Sequence, residues 1–329
     1  MNVAIVGATG YGGIQAVNLL KKNKNYKISF LGGKKTSGSK WNENFPFIYL
    51  DNDPYIEEIS IDNISNKADI ALLCLPNGIS STLTRKLLDR GVKVIDLSAD
   101  YRYKSLDIWK KIYSKEAAIY KRNDDDLCKE AVYGLPEINK EAISKSRLIA
   151  CPGCYPTSAL IPLAPLLSQG IIENDGIAID SKSGTSGGGR EPNQKLLLSE
   201  CGDGLSAYGL INHRHTSEIE QIASEISGNS IEVLFTPHLI PISRGMHSTI
   251  YGRLRDPGLT SEDCKILLDN FYRNFKNIKV LPVDTFPSTK WVKNTNQIFL
   301  SVKVDIRNGR IIILSVIDNL LKGQTGQAI

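Results

Sequence analysis

Asn2-Val3-Ala4-Ile5-Val6-Gly7-Ala8-Thr9-Gly10-Tyr11-Gly12-Gly13 decides how this chain folds. A short apolar run, rich in β-branched residues, breaks into a glycine-rich turn, and a helical pattern follows over residues 12–22. Glycines at 7, 10 and 13 give the spacing G-x-x-G-x-x-G. Glycine lets a backbone turn sharply and approach a pyrophosphate, which then rests on the free N–H groups of the helix start. The plain alternative is a tight strand–helix turn. The context is the one a dinucleotide site requires, directly after a strand and inside a strand–helix–strand unit. Gly7, Thr9, Gly10, Tyr11, Gly12 and Gly13 are therefore expected to hold a dinucleotide.

Outward from that loop, strand patterns at 26–31, 68–75, 93–97 and 147–150 alternate with helical ones, including 79–89. Such alternation implies right-handed crossovers and a parallel sheet covered on both faces. After about residue 150 the pattern changes. Helical stretches at 155–168, 217–227 and 261–275 are interleaved with longer strand candidates at 177–182, 231–236, 248–254, 297–305 and 311–317. The last two strands flank Asn308-Gly309, a strong hairpin signal, and Thr260-Ser261-Glu262-Asp263 reads as a capping box. Pro162 and Pro165 are expected to kink or interrupt their helix. The acidic run 124–126 reads as a solvated loop. The expected architecture is α/β. A Rossmann-type dinucleotide-binding domain spans 1–150, and an α+β domain on a largely antiparallel sheet spans 151–314.

With 329 residues, 41% hydrophobic and 23% charged, the chain is neither disordered nor fibrous. No apolar run reaches the roughly 18 residues of a membrane span. The first residues carry no basic lead, so a signal peptide is not expected. The net charge of +5 is spread without a basic block, which argues against nucleic-acid binding. Six cysteines in such a chain suit a reducing, cytoplasmic setting better than a disulfide framework.

The end of the second strand selects the dinucleotide. An NAD site usually places an acid there for the ribose hydroxyls; here the chain reads Gly32-Gly33-Lys34-Lys35-Thr36-Ser37-Gly38. Cations and hydroxyls suit a 2′-phosphate, so NADP(H) is expected, with Lys34 and Ser37 as its ligands. A solvated lysine pair is the alternative.

Ala150-Cys151-Pro152-Gly153-Cys154-Tyr155-Pro156-Thr157 ends a strand and opens a helix. Cys154 then lies at a helix N-terminus, where free N–H groups and the dipole favour a thiolate. Zinc would need two further ligands at recognisable spacing and none follows, so no metal is expected. A C-x-x-C redox pair and two inert buried thiols are the other readings. Four histidines narrow the search for a base: His213, His215, His238 and His247. The last two read more readily as packed or paired side chains.

These residues resemble a known family. Pro152-Gly153-Cys154-Tyr155-Pro156-Thr157 is similar to the active-site signature of the N-acetyl-γ-glutamyl-phosphate reductases of arginine biosynthesis. Matching stretches run along the whole chain: the 7–13 loop, Leu97-Ser98-Ala99-Asp100-Tyr101-Arg102, Tyr133-Gly134-Leu135-Pro136-Glu137, Lys182-Ser183-Gly184, His213-Arg214-His215 and Asp318-Asn319-Leu320. The resemblance implies a fold like that of aspartate-semialdehyde and glyceraldehyde-3-phosphate dehydrogenases. It also implies NADPH, an acyl-phosphate substrate and a homodimer or homotetramer. Cys154 corresponds to the catalytic cysteine and His213 or His215 to its base. His215 is favoured because it directly precedes the expected helix start.

A thiolate displaces phosphate to give a thioester, which accepts hydride; a histidine moves the proton. Arg102, past the fourth strand, is the first choice for the phosphate, because a guanidinium binds it bidentately. Lys182 and Arg190 bracket a glycine-rich stretch that would wrap an anionic substrate, a mobile linker being the alternative. Glu218 would contact substrate, orient a motif histidine or simply stabilise its helix start through the dipole. Arg244 is a weaker candidate for a substrate carboxylate. Asn319 resembles a position that returns to the nicotinamide, so the resemblance implies that 315–329 rejoins the first domain and that 151–314 serves catalysis and oligomerisation. Two departures from the family stand out. Cys151 replaces a common asparagine, which suggests a reversible Cys151–Cys154 disulfide, and family members usually continue beyond residue 329. The rival readings are reduction of a related acyl phosphate (aspartyl, or carrier-bound aminoadipyl) and a non-catalytic NADP sensor.

Overall fold

The computed structural model describes residues 1–329, which fall into two compact units: 1–152 with 324–329, and 153–323. The first unit holds a six-stranded sheet of β1 (Asn2–Val6), β2 (Lys27–Gly32), β3 (Ile70–Leu73), β4 (Lys93–Asp96), β5 (Val132–Tyr133) and β6 (Leu148–Ala150). All pairings are parallel, in the order β2-β1-β3-β4-β6-β5. Successive residues of β1 feed two separate cores: Ala4 and Val6 pack with Phe30 and Leu73, while Val3 and Ile5 pack with Leu31 and Leu72. That division is what a sheet covered on both faces requires. From β1 the chain goes to β2 on one side, and later to β3 on the other. This reversal is the point where open α/β sheets bind ligands, at the carboxyl ends of the strands.

Two expectations for this unit need correction. The chain returns to it at Gln324, not at 315, because the strand Arg310–Ile317 carries these residues into the second sheet. The acidic run is also no solvated loop. Asp124 is buried, accepts from Tyr101 Oη at 2.7 Å and pairs with Arg122 at 3.0 Å; the next residues form the helix Asp125–Glu130. Arg122 is two residues away, but the phenol of Tyr101 comes from 23 residues earlier in the chain, which the local sequence does not show.

The second unit is built on β7 (Ile177–Gly184), β8 (Ser206–Ala207), β9 (Val233–Ile240), β10 (Met246–Arg253), β11 (Ile278–Val280), β12 (Ile298–Asp305) and β13 (Arg310–Ile317). The order is β11-β12-β13-β10-β7-β9-β8, with β7–β9 and β11–β12 parallel and the other four pairings antiparallel, so the sheet is mixed. The β12–β13 hairpin turns at Gly309, whose φ of +63° suits glycine. The Thr260–Asp263 capping box forms as read.

One face of this sheet carries the helix Cys154–Ser168, in which every residue from Tyr155 to Leu167 is buried. Contrary to expectation, the helix runs through Pro162 and Pro165. Proline at 165 removes the amide that would bond Ile161 O, and Tyr272 Oη donates to that carbonyl instead. Beneath the helix, Ser181, Ser248 and Ser315 stand in register across β7, β10 and β13. Ser158 Oγ lies 2.9 Å from Ser248 Oγ and 3.1 Å from Ser315 Oγ, and Ser181 Oγ lies 2.7 Å from Ser248 Oγ. These hydroxyls satisfy one another where water is excluded, which fixes the helix on the sheet one turn below Cys154. No helix is long and apolar enough to cross a membrane.

Candidate active site

The glycine loop sits at the carboxyl end of β1. Gly7 has φ +84° and a β-carbon there would lie 2.3 Å from Cys74 O; one on Gly13 would lie 2.3 Å from Gly7 O. Neither position admits a side chain. Gly7 N and Ala8 N both donate to Gly32 O, at 3.0 and 2.9 Å, which ties the loop to the end of β2. Gly10 caps the helix Tyr11–Leu20, and the first N–H groups of a helix have no intrahelical acceptor, which makes them donors for an anion. Lys34 and Ser37 are exposed on the turn after β2. The cradle fits a dinucleotide phosphate. From the chain's end, Thr325 Oγ1 donates to Gly12 O at 3.0 Å.

The segment Leu97–Arg102 mostly builds its own unit. Asp96 accepts from Ser98 N and Oγ. Asp100 accepts from Gly78 N at 2.7 Å and Ser81 N at 3.0 Å, and burial followed by the charge of Asp96 pushes its carboxyl up to about 6. Arg102 is buried, with Nε donating to Cys151 O at 2.7 Å and Nη2 to Leu97 O at 3.2 Å. Cys151 is only 1% exposed, and burial, then Asp96, pushes its thiol far up. All six cysteines are free thiols. A core thiol held protonated is a poor partner for disulfide exchange, so nothing here supports the expected Cys151 switch.

In the second unit Gly153 caps the cysteine helix and Cys154 is its first residue, partly exposed. Gly153 O accepts from Thr157 N and Oγ1, both at 2.9 Å. Gly153 N donates to Glu218 Oε1 at 2.8 Å. Glu218 is fully buried and holds the turn before Cys154.

The motif histidines lie at the start of a second helix, Arg214–Ser227, which begins before His215 and not after it as expected. His213 is the cap; its Nδ1 accepts from His215 N at 3.1 Å. Burial, then the adjacent Arg214, pushes His213 down to about 4. The two imidazole centroids are 4.9 Å apart, and the Tyr155 ring lies 5.5 Å from His213 and 5.8 Å from His215. Tyr155 Oη meets Tyr208 Oη at 2.9 Å. Burial pushes the Tyr208 phenol up to about 12, with Cys154 adding to the rise, and burial raises Tyr155 as well, so both tyrosines stay protonated beside Cys154.

The glycine-rich stretch is not a loose linker at its start. Gly184 N, Thr185 N and Ser186 N bond Gly245 O, Ile242 O and Ser243 O. Asn319 locks this pair of loops, accepting from Gly245 N and donating to Ser186 Oγ, both at 2.9 Å. Its amide is thus committed within the second unit. Lys182 alternates with Ser181 and Ser183, so it points to the sheet face opposite the cysteine helix, where it pairs with Asp180 at 2.9 Å. Arg190 is exposed beyond the loop. Arg244 is spent on Asn294 Oδ1 and Asp318 Oδ2. Sequence reading missed Tyr208 and Gly323, whose β-carbon would lie 2.9 Å from Cβ of Cys154. Neither has a local signal, because each is defined by a neighbour far along the chain.

The chain is similar to known proteins along its whole length. Residues 2–146 match the family model of the semialdehyde dehydrogenase NAD-binding domain, and 154–319 that of the semialdehyde dehydrogenase dimerisation domain. An N-acetyl-gamma-glutamyl-phosphate reductase of Prochlorococcus marinus strain MIT 9215 is 92% identical over 329 residues, 100% of this chain and 94% of the relative. The like-named protein of strain NATL1A is 59% identical over 327 residues, 99% of this chain and 91% of the relative. Among solved structures, aspartate semialdehyde dehydrogenase II from Vibrio cholerae has a TM-score of 0.74 at 19% identity, covering 99% of this chain and 96% of that one. The Candida albicans aspartate semialdehyde dehydrogenase with NADP has a TM-score of 0.69 at 15% identity, covering 99% and 96%. At those identities the structures speak for the fold alone.

Proposed function

The chain belongs to the N-acetyl-γ-glutamyl-phosphate reductase family, and from that premise we propose how its own residues carry the reaction. The overall conversion is the NADPH-dependent reduction of N-acetyl-γ-glutamyl phosphate to the semialdehyde with release of phosphate, a step of arginine biosynthesis. The observation that carries the reading is Cys154 as first residue of a buried helix, its turn held by Glu218, with the His213–His215 helix start in the same unit.

The Cys154 thiolate attacks the acyl carbon; an S–C bond forms, the C–O bond to phosphorus breaks, and phosphate leaves with the electron pair. When bound in the glycine cradle, NADPH supplies the hydride. After reduction the S–C bond breaks, the electron pair returns to sulfur, and the aldehyde is released. His215 is the assigned acid–base group, because Nδ1 of His213 is already committed to capping. Helix-start N–H groups and the dipole favour the thiolate. Phosphate recognition is assigned to Arg102, whose two carbonyl bonds fix the guanidinium plane, and Arg190 to the substrate's carboxylate. Tyr155 and Tyr208, both protonated, keep a neutral wall beside the thiolate.

The reading further places the protein in the cytoplasm as a homodimer or homotetramer. The uncovered face of the second sheet supports self-association: Leu234, Ala178, Tyr251 and Ile312 form one row across β9, β7, β10 and β13. In that row Leu234 is 66% and Tyr251 37% exposed.

NADPH oxidation with three acyl phosphates tests the substrate. N-Acetyl-γ-glutamyl phosphate is expected to give by far the highest kcat/KM. A higher value with aspartyl or carrier-bound aminoadipyl phosphate would replace it, and no turnover with any of them would favour the sensor.

A further inference from the structure

The chain leaves β13 at Ile317, passes Asp318-Asn319-Leu320 and enters a single π turn over Leu321–Thr325. Such turns are rare and recur at functional sites. This one is pinned at its base. The fully buried Asp318 carboxylate accepts from Leu320 N at 2.9 Å and Leu321 N at 3.0 Å through Oδ1. Through Oδ2 it accepts from Asn294 N at 2.8 Å and Arg244 Nη1 at 3.3 Å. Gly323 N closes the turn on Asp318 O at 2.9 Å.

Gly323 has no positive φ, so backbone freedom is not why glycine stands there. Space is the reason. A β-carbon at 323 would lie 2.9 Å from Cβ of Cys154, 3.3 Å from Cδ1 of Ile317 and 3.4 Å from Asp318 O. Cys154 cannot recede easily: its helix is buried along its length and anchored by Ser158 on the serine row. The bare backbone of the turn and the β-carbon of the nucleophile therefore rest against each other.

We propose that the 318–323 turn positions the Cys154 nucleophile, with Asp318 bracing the turn and Gly323 setting where the cysteine side chain stands. Gly323 is a positioning residue; it acts through Cys154. The proposal rests on Cys154 being the nucleophile, and a Cys154→Ser variant that keeps full turnover would remove that premise by itself.

The experiment compares wild type, Gly323→Ala and, as a control in open space, Gly204→Ala. The rate of iodoacetamide alkylation at Cys154 is followed by peptide mass spectrometry from pH 5.5 to 9, beside kcat and KM. Misplacing a reacting group by a fraction of an ångström predicts about a tenfold loss of kcat for Gly323→Ala. KM should stay within about twofold, and the alkylation profile should move in plateau or midpoint, with Gly204→Ala matching wild type. An alkylation profile equal to wild type in Gly323→Ala overturns the proposal, whatever kcat does. If that variant does not fold, Asp318→Asn loosens the turn without adding an atom beside Cys154. A moved profile there supports the proposal, and a wild-type profile overturns it.

Discussion

His213 and His215 are two residues apart and have different tasks. The Nδ1 of His213 is an acceptor for a helix-start amide, so protonating it would break the cap. Its value, lowered from 6.5 to about 4 by burial, fits that task. The sign follows directly: between those values the unfolded chain binds a proton that the folded one refuses. Stability is therefore full above about pH 6.5 and is lost as pH falls toward about 4. His213→Asn keeps a capping acceptor that does not titrate, so the melting temperature should fall less steeply over that window than in wild type. Equal slopes would show that His213 is not the titrating group. A second residue-scale expectation concerns Lys34, exposed after β2. Lys34→Glu should raise KM for NADPH roughly tenfold by charge reversal at the 2′-phosphate and leave NADH unaffected; a parallel change for both cofactors would place the lysine elsewhere.

At the level of elements, the sequence was most legible where local chemistry and position coincide. The 7–13 glycines needed only their spacing, because two of them are sterically compulsory. The start of the Cys154–Ser168 helix was legible from Pro-Gly-Cys-Tyr-Pro, and the β12–β13 hairpin from Asn-Gly. Legibility failed where a distant partner decides. Tyr272 relieves the carbonyl freed by Pro165, so the helix continues where its own sequence says it should break. Nothing beside Glu218 in the sequence points to Gly153, whose N–H its buried carboxylate accepts from 65 residues away. An unsatisfied buried amide costs about 1–3 kcal/mol, which is the scale of what that carboxylate secures.

For the whole molecule, the second unit presents one sheet face covered by helices and one with an exposed apolar row. Patches of that kind mark protein contacts more often than chance. If the row joins two copies, Leu234→Glu should shift sedimentation toward the monomer at micromolar concentration, while leaving the monomer's fold intact by circular dichroism. An unchanged oligomer would move the contact to another surface. The whole account finally reduces to one bond, between sulfur 154 and an acyl carbon. Mixing the enzyme with N-acetyl-γ-glutamyl phosphate in the absence of NADPH, quenching in acid and mapping peptides by mass spectrometry reads that bond directly. The account predicts an N-acetylglutamyl adduct on Cys154 formed with one equivalent of phosphate, and its disappearance when NADPH is added before the quench. Full turnover with Cys154 never acylated would contradict it.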